Sequence, residues 1–317
     1  MKGGAVIEYF RTDEQTRSLV KLETERAGCW IALFAPTAAE IDQIARRFSI
    51  DEADLRAPLD LEEVSRVEVA DTYTMFIVDT PVRSGAPESH GFETIPIAVF
   101  ETPHHVISVC SRYHIPIISL LKAQRGLYDT GMIKEFTSDL LMASSTAYFN
   151  ALRELNRCRT EVSSSSERPS RKDLEELYAL DASFVYFTTS LATNDAAFER
   201  YRRYVLVGSS KEVKDLFDDV ALENRQALET TRIYSDILDS AIDHFGLMMD
   251  YDLNRTMQLV ATLTLVLCVP TVIGGLFGMN LGGIPLADAP YGVALVTGIT
   301  ALVLVALLVL LKRLRWF

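Results

Sequence analysis

Two long uncharged stretches near the C-terminus constrain this chain more than any other feature. Residues Thr256 to Ala287 include no Asp, Glu, Lys or Arg, and after Asp288 the run Ala289 to Leu311 again includes none. A helix needs about 20 predominantly apolar residues to cross the hydrocarbon core of a bilayer. Two such helices fit, one over Met257 to Gly278 and one over Tyr291 to Leu311. Upstream of Arg255, charged and apolar residues are interleaved, as in a water-soluble fold. The chain therefore reads as a large soluble part followed by two membrane spans.

The flanks set the orientation. The C-terminus, Lys312-Arg313-Leu314-Arg315-Trp316-Phe317, is basic and aromatic. Lys and Arg beside a span favour the cytoplasmic side, and Trp favours the interface. An even number of spans then puts the N-terminal part in the cytoplasm as well, which is the arrangement expected in a cell inner membrane. The first residues, Met1-Lys2-Gly3-Gly4-Ala5-Val6-Ile7-Glu8, lack the apolar core of a secretory signal. Cys29, Cys110, Cys158 and Cys268 are scattered without metal-ligand spacing, which suits a reducing compartment and no disulfide framework. A formal net charge of −12 argues against nucleic acid, whose phosphates are held by Lys and Arg. It is compatible with the handling of cations.

The expected fold class is α+β. Residues 1–130 read as a cytoplasmic α/β domain. Within it Trp30 to Phe34, Thr72 to Val82, Ile95 to Phe100 and His105 to Val109 have the β-branched and aromatic content of strands. Thr37 to Phe48 reads as a helix between them. No Gly-rich phosphate loop is present, so no nucleotide is expected. Residues 131–210 read as an antiparallel helical pair, Lys134 to Glu161 and Ser170 to Tyr204, with a break at Ser163 to Ser166 and Pro169. From Lys211 there is no proline before Pro270, and Gly246 is the one glycine before the first span. Residues 211–256 are thus expected as the cytoplasmic part of a stalk helix that continues into the first span, 257–280. An outer loop (281–290), a second span (291–311) and a basic tail (312–317) complete the chain. A helix from Lys211 to Gly278 would be roughly 100 Å long, and a helix of that length needs partners.

Two stripes run along it. Val213, Phe217, Val220, Asn224, Ala227, Thr231, Tyr234, Leu238, Ala241, Phe245 and Met248 follow alternating steps of four and three, a heptad pattern. It fits packing on the chain's own domain or contact between copies. The second stripe is Asp236, Asp243, Asp250, Met257, Thr264 and Thr271, each seven residues apart, with Asn254, Ala261, Cys268 and Gly275 at the intermediate steps. Small and polar residues in a span mark helix packing or else an aqueous axis shared by several copies. Leu259, Val260, Leu263, Val266, Leu267, Val269 and Ile273 occupy the other faces, as lipid contact requires. Two spans cannot enclose a wet path, so a pore needs a ring of subunits. Asp243 and Asp250 would then form carboxylate rings, a device for cation selection. Met257 would form an apolar constriction.

The first span ends in Phe277-Gly278-Met279-Asn280, followed by a short loop with Ile284-Pro285, a last span and the basic tail. This resembles the aromatic-Gly-Met-Asn signature of the CorA family of two-span divalent-metal transporters. The resemblance extends to Ser183 to Leu191, Leu216 to Ala227, Asn254 to Met257 and Pro270-Thr271. It implies a funnel-shaped homopentamer in the lipid bilayer, whose stalk helix lines the pore and whose GMN residues, Gly278, Met279 and Asn280, form the selectivity filter at the outer mouth. It implies Mg2+ as transported and regulatory ion, with Co2+, Ni2+ or Zn2+ as other cargo, and no enzyme activity. It also implies a regulatory metal site between subunits. Asp219 matches one of its positions, whereas Ala57 stands where many relatives carry Asp, so that Asp54 or Asp60 would have to substitute. Leu286 replaces a Glu frequent in relatives, leaving Asp288 as the loop's single charge. Two other functions remain open: a zinc, cobalt or nickel transporter of the ZntB-like branch, and a membrane-anchored helical scaffold without transport.

Overall fold

The structure is a computed structural model that describes residues 6–84, 91–113, 129–165, 170–279 and 290–313. It divides into two compact units, Met1–Ile242 and Asp243–Phe317.

The first unit is built on a seven-stranded sheet. Its strands are β1 (Val6–Thr12), β2 (Leu19–Leu22), β3 (Trp30–Phe34), β4 (Arg66–Val69), β5 (Thr74–Arg83), β6 (Phe92–Glu101) and β7 (Val106–Cys110), in the order β2-β1-β3-β7-β6-β5-β4. Every neighbouring pair is antiparallel except β3 and β7, which run parallel with Trp30 opposite Val106 and Phe34 opposite Cys110. β3 and β7 are buried at every position, as strands covered on both faces must be. One face carries Ile31, Leu33, Met75, Ile77, Phe100 and Ile107 and packs on α1 (Ala38–Phe48) and α2 (Glu52–Arg56) through Ile41, Ile44 and Leu55. A capping box between Thr37 and Glu40 starts α1, so Thr37 is its cap rather than its first residue.

The other face, with Phe10, Trp30, Phe76, Val78, Ile97 and Val99, packs on three long helices. These are α3 (Ile133–Ser165), α4 (Arg171–Tyr204) and α5 (Lys211–Phe277). A second capping box, Ser170 with Asp173, starts α4. Helix α5 has 67 residues and passes from the first unit into the second. Helix α6 (Gly292–Arg313) follows it. Both α5 and α6 are long and apolar enough to cross a membrane.

Candidate functional site

The candidate site is one face of α5. Successive residues of an α-helix are rotated by about 100°, so each stripe can be placed by its burial. Along the first stripe Val213, Phe217, Val220, Asn224, Ala227, Thr231 and Leu238 are all buried. Phe217 meets the rings of Tyr201, Phe198 and Phe76, at centroid distances of 4.8, 5.7 and 6.4 Å. The Asn224 amide donates to the Leu191 carbonyl at 3.0 Å, and the Thr231 hydroxyl to Ala227 at 2.7 Å. The polar members of the stripe are thus satisfied within the chain, and between Val213 and Leu238 this seam is packing on the chain's own fold.

Tyr201 reaches past Phe217 to donate a hydrogen bond to Glu101 at the end of β6. Burial pushes the Glu101 carboxyl up, and the Tyr201 hydroxyl partly offsets that by stabilising its charge. Burial and the adjacent Glu101 hold the Tyr201 phenol well above its ordinary range.

The second stripe lies elsewhere on the helix. In the second unit Asp243, Asp250, Asn254, Met257, Thr264, Cys268, Thr271 and Gly275 are exposed, and Ala261 is half-buried. Phe245 is 4 % exposed; two residues past Asp243, it sits about 200° around the helix, on the opposite side. Within the spans Thr262 is buried while Thr264 and Thr271 are not. Helices α5 and α6 share an apolar cleft of about 350 Å3, lined by Leu265, Val269 and Ile273 of α5 with Val303 and Leu307 of α6. Cys268 and Val272 line the same cleft. Packing of span on span therefore leaves Thr264 and Thr271 unused. Their hydroxyls donate to the Val260 and Leu267 carbonyls, each at 2.8 Å, which satisfies the donors in a medium without water and leaves oxygen lone pairs free to face outward.

Pro270 lies inside α5. It lacks an N–H, so the Val266 carbonyl loses its helical donor. At the helix end Gly278 N–H donates to Gly274 at 2.9 Å, and a Cβ at Gly278 would lie 3.1 Å from the Gly274 carbonyl oxygen. Among the described residues the left-handed glycine is Gly28, so Gly278 is small for close approach rather than for a left-handed cap. Met279 is exposed. Asn280, residues 281–289 and Leu314 to Phe317 lie outside the described residues.

The regulatory candidates all sit in the first unit. Asp219 is exposed on α5, beside Asp218, which pairs with Arg202 at 2.9 Å. Asp60 is exposed and accepts the Glu62 N–H at 3.0 Å. Asp54 accepts the Tyr73 hydroxyl, whose pKa is pushed up to about 12 by burial and by that hydrogen bond. Ala57 caps α2 and opens a 3-10 turn, Ala57–Leu59. Among the described residues, no group of three or more His, Cys, Asp or Glu is placed to hold a metal ion within one chain.

Leu247 also belongs to the periodicity of the second stripe. Leu247 is three residues before Asp250 and seven before Asn254, and it is 69 % exposed.

The family described as CorA-like Mg2+ transporter protein matches residues 25–313. The Cobalt/magnesium transport protein CorA of Methanocaldococcus jannaschii is 23 % identical over 297 residues, covering 90 % of each chain. The protein of the same name from Thermotoga maritima is 20 % identical over 322 residues, covering 98 % of this chain and 90 % of its own. The solved complete structure of the Methanocaldococcus jannaschii CorA magnesium transporter aligns with a TM-score of 0.82 at 22 % identity and full coverage of both chains. The fold is therefore the one expected: a mixed-sheet domain, a long stalk helix and two C-terminal apolar helices.

Proposed function

This chain belongs to the CorA-like Mg2+ transporter family, and from that premise we propose that it is one protomer of a ring that carries divalent cations, magnesium first among them, into the cytoplasm. One observation carries the reading: the stripe from Asp243 to Gly275 is exposed apart from the half-buried Ala261, and where it begins, at Asp243 and Asp250, it lies on the side of α5 opposite the buried Phe245. Within the span, the exposed Thr264 and Thr271 gain nothing from lipid, because polar groups facing hydrocarbon are costly. Around a common axis the same row lines a wet path.

In a homopentamer, Asp243 and Asp250 form carboxylate rings at the cytoplasmic end. Asn254 and Met257 then stand at the entrance to the span, and Ala261, Thr264, Cys268, Thr271 and Gly275 line the path beyond them. Mg2+ binds water tightly, prefers octahedral oxygen ligands and dehydrates reluctantly. Neutral oxygens, the Gly278 and Met279 carbonyls with the Asn280 amide, suit an ion that keeps its water. The membrane potential supplies about 2.3 kcal/mol per charge per 100 mV, and roughly twice that for a divalent ion, so inward flow needs no nucleotide. Intracellular Mg2+ bound between Asp219 of one copy and Asp54 or Asp60 of the next closes the path. The outer loop offers neither His nor Cys, and oxygen donors at the mouth favour a hard cation over zinc.

The test is metal uptake into proteoliposomes, comparing wild type with Asn280→Ala for magnesium, cobalt and zinc. The expected result is magnesium and cobalt uptake in wild type and its loss in the variant. Equal uptake by the two proteins refutes the filter, and no uptake of any divalent ion by wild type refutes transport.

A further inference from the structure

We propose that Leu247 forms an apolar constriction of its own on the cytoplasmic side of the path, set between two separate carboxylate layers at Asp243 and Asp250. This rests on the reading above, that copies of the chain turn this face of α5 toward a common axis.

The placement follows from the helix. Taking Asp243 as zero, rotation of about 100° per residue puts Leu247 at about 40°, Asp250 at about −20°, Asn254 at about 20° and Met257 at about −40°. All five share an arc of about 80°, whereas Phe245 lies at about 200°. Phe245 is buried and Leu247 is 69 % exposed. Leu247 thus finds no cover in its own chain, although its neighbours along the arc are Asp and Asn. A leucine there is of no use to a purely polar, ion-attracting surface. With a rise of 1.5 Å per residue it lies roughly 6 Å from the Asp243 level, 4.5 Å from Asp250 and 15 Å from Met257. It is therefore a layer distinct from the Met257 ring.

Its chemistry follows from what the ion carries. A hydrated divalent cation drawn to either carboxylate layer must bring its water through a leucine ring to reach the other. Apolar rings gate by dewetting, and Mg2+ gives up its water reluctantly. Leu247 therefore sets the resistance between two ion-holding layers, in proportion to the size and polarity of its side chain. The outward position of Leu247 also means that substitution leaves no hole in the fold.

The experiment uses the full chain in proteoliposomes loaded with a magnesium-sensitive dye. Leu247→Ser is expected to raise resting magnesium flux several-fold, and Leu247→Phe to lower it below wild type. In parallel, Leu247→Cys in a Cys268→Ser background is oxidised and run on a non-reducing gel, where disulfide-linked dimers are expected and the Cys268→Ser protein alone gives none. Dimers together with opposite flux changes support the proposal. Dimers with wild-type flux in both Leu247→Ser and Leu247→Phe overturn the constriction while leaving the ring of copies intact. Absence of dimers overturns the proposal whatever the flux. If Asn280→Ala is then also silent, the transport reading falls with it.

Discussion

Replacing Phe217 with Ala tests the division of α5 into a face that packs on its own chain and a face that does not. Phe217 is fully buried, and its ring meets those of Tyr201, Phe198 and Phe76. Truncating a buried Phe to Ala costs about 3–5 kcal/mol, and the lost ring pairs account for part of that, at about 0.5–1.5 kcal/mol each. For a unit of roughly 150–250 residues, each kcal/mol lowers the melting temperature by about 2–4 °C, so the expected drop is roughly 6–20 °C. The full-length protein in detergent is heated while Trp30 fluorescence is followed in a Trp316→Phe background. Trp30 is buried in the same cluster as Phe217, so it reports on the affected core. Leu247→Ala, at an exposed position, is expected to shift the same transition by about 2 °C or less, in line with surface substitutions within about 0.5 kcal/mol. An unchanged transition in Phe217→Ala would refute the assignment of the Val213-to-Leu238 seam to the chain's own core.

Other consequences follow from the first unit. The Glu101 carboxyl is raised by burial above its ordinary value of 4.5, so the folded state holds that proton more tightly than the unfolded one. The resulting stability is present below the unfolded pKa and is lost as pH climbs from there through the folded pKa. Glu101→Gln is therefore expected to flatten that part of the pH–stability curve and to raise the midpoint at pH 7.5 more than at pH 4, measured by urea titration at the two values; a parallel shift at both refutes the burial argument. For gating, Asp219→Lys is expected to abolish magnesium-dependent protection from protease. Wild type that is cut equally with and without magnesium would count against a regulatory ion at Asp219.

The sequence made some parts of this molecule plain and hid others, for physical reasons. Charge cannot be hidden in a span, so the run from Thr256 to Ala287 marked the membrane part directly. Helix α5 was legible because Lys211 to Val269 contains no proline and one glycine. Strands β2 and β4 were not, because each has four residues and lies at a sheet edge. Edge strands carry charges: Lys21 breaks the alternation of buried and exposed residues in β2, and the alternation of Arg66-Val67-Glu68-Val69 in β4 is too short to stand out. In β1, Glu8 interrupts an apolar run yet is buried, held by Lys21 at 2.5 Å. That ion pair across β1 and β2 becomes visible only once the strands are paired. The first stripe on α5 posed another problem. A heptad of buried residues has one period whether its partner is the same chain or a copy, and the rings around Phe217 resolve the choice. Leu247 was not legible because a single leucine among Asp and Asn forms no pattern of its own, and its exposure emerges only from the fold.

The most direct test of the account is accessibility of the proposed lining face to a water-soluble thiol reagent. Thr264→Cys and Leu263→Cys are compared in a Cys268→Ser background, with magnesium uptake followed before and after reaction with a charged methanethiosulfonate. Both positions are exposed in the single chain, but they lie about 100° apart on the helix. The account predicts that reaction at Thr264→Cys blocks uptake and that Leu263→Cys, facing lipid, remains unmodified and active. Block at Leu263→Cys with none at Thr264→Cys would contradict it.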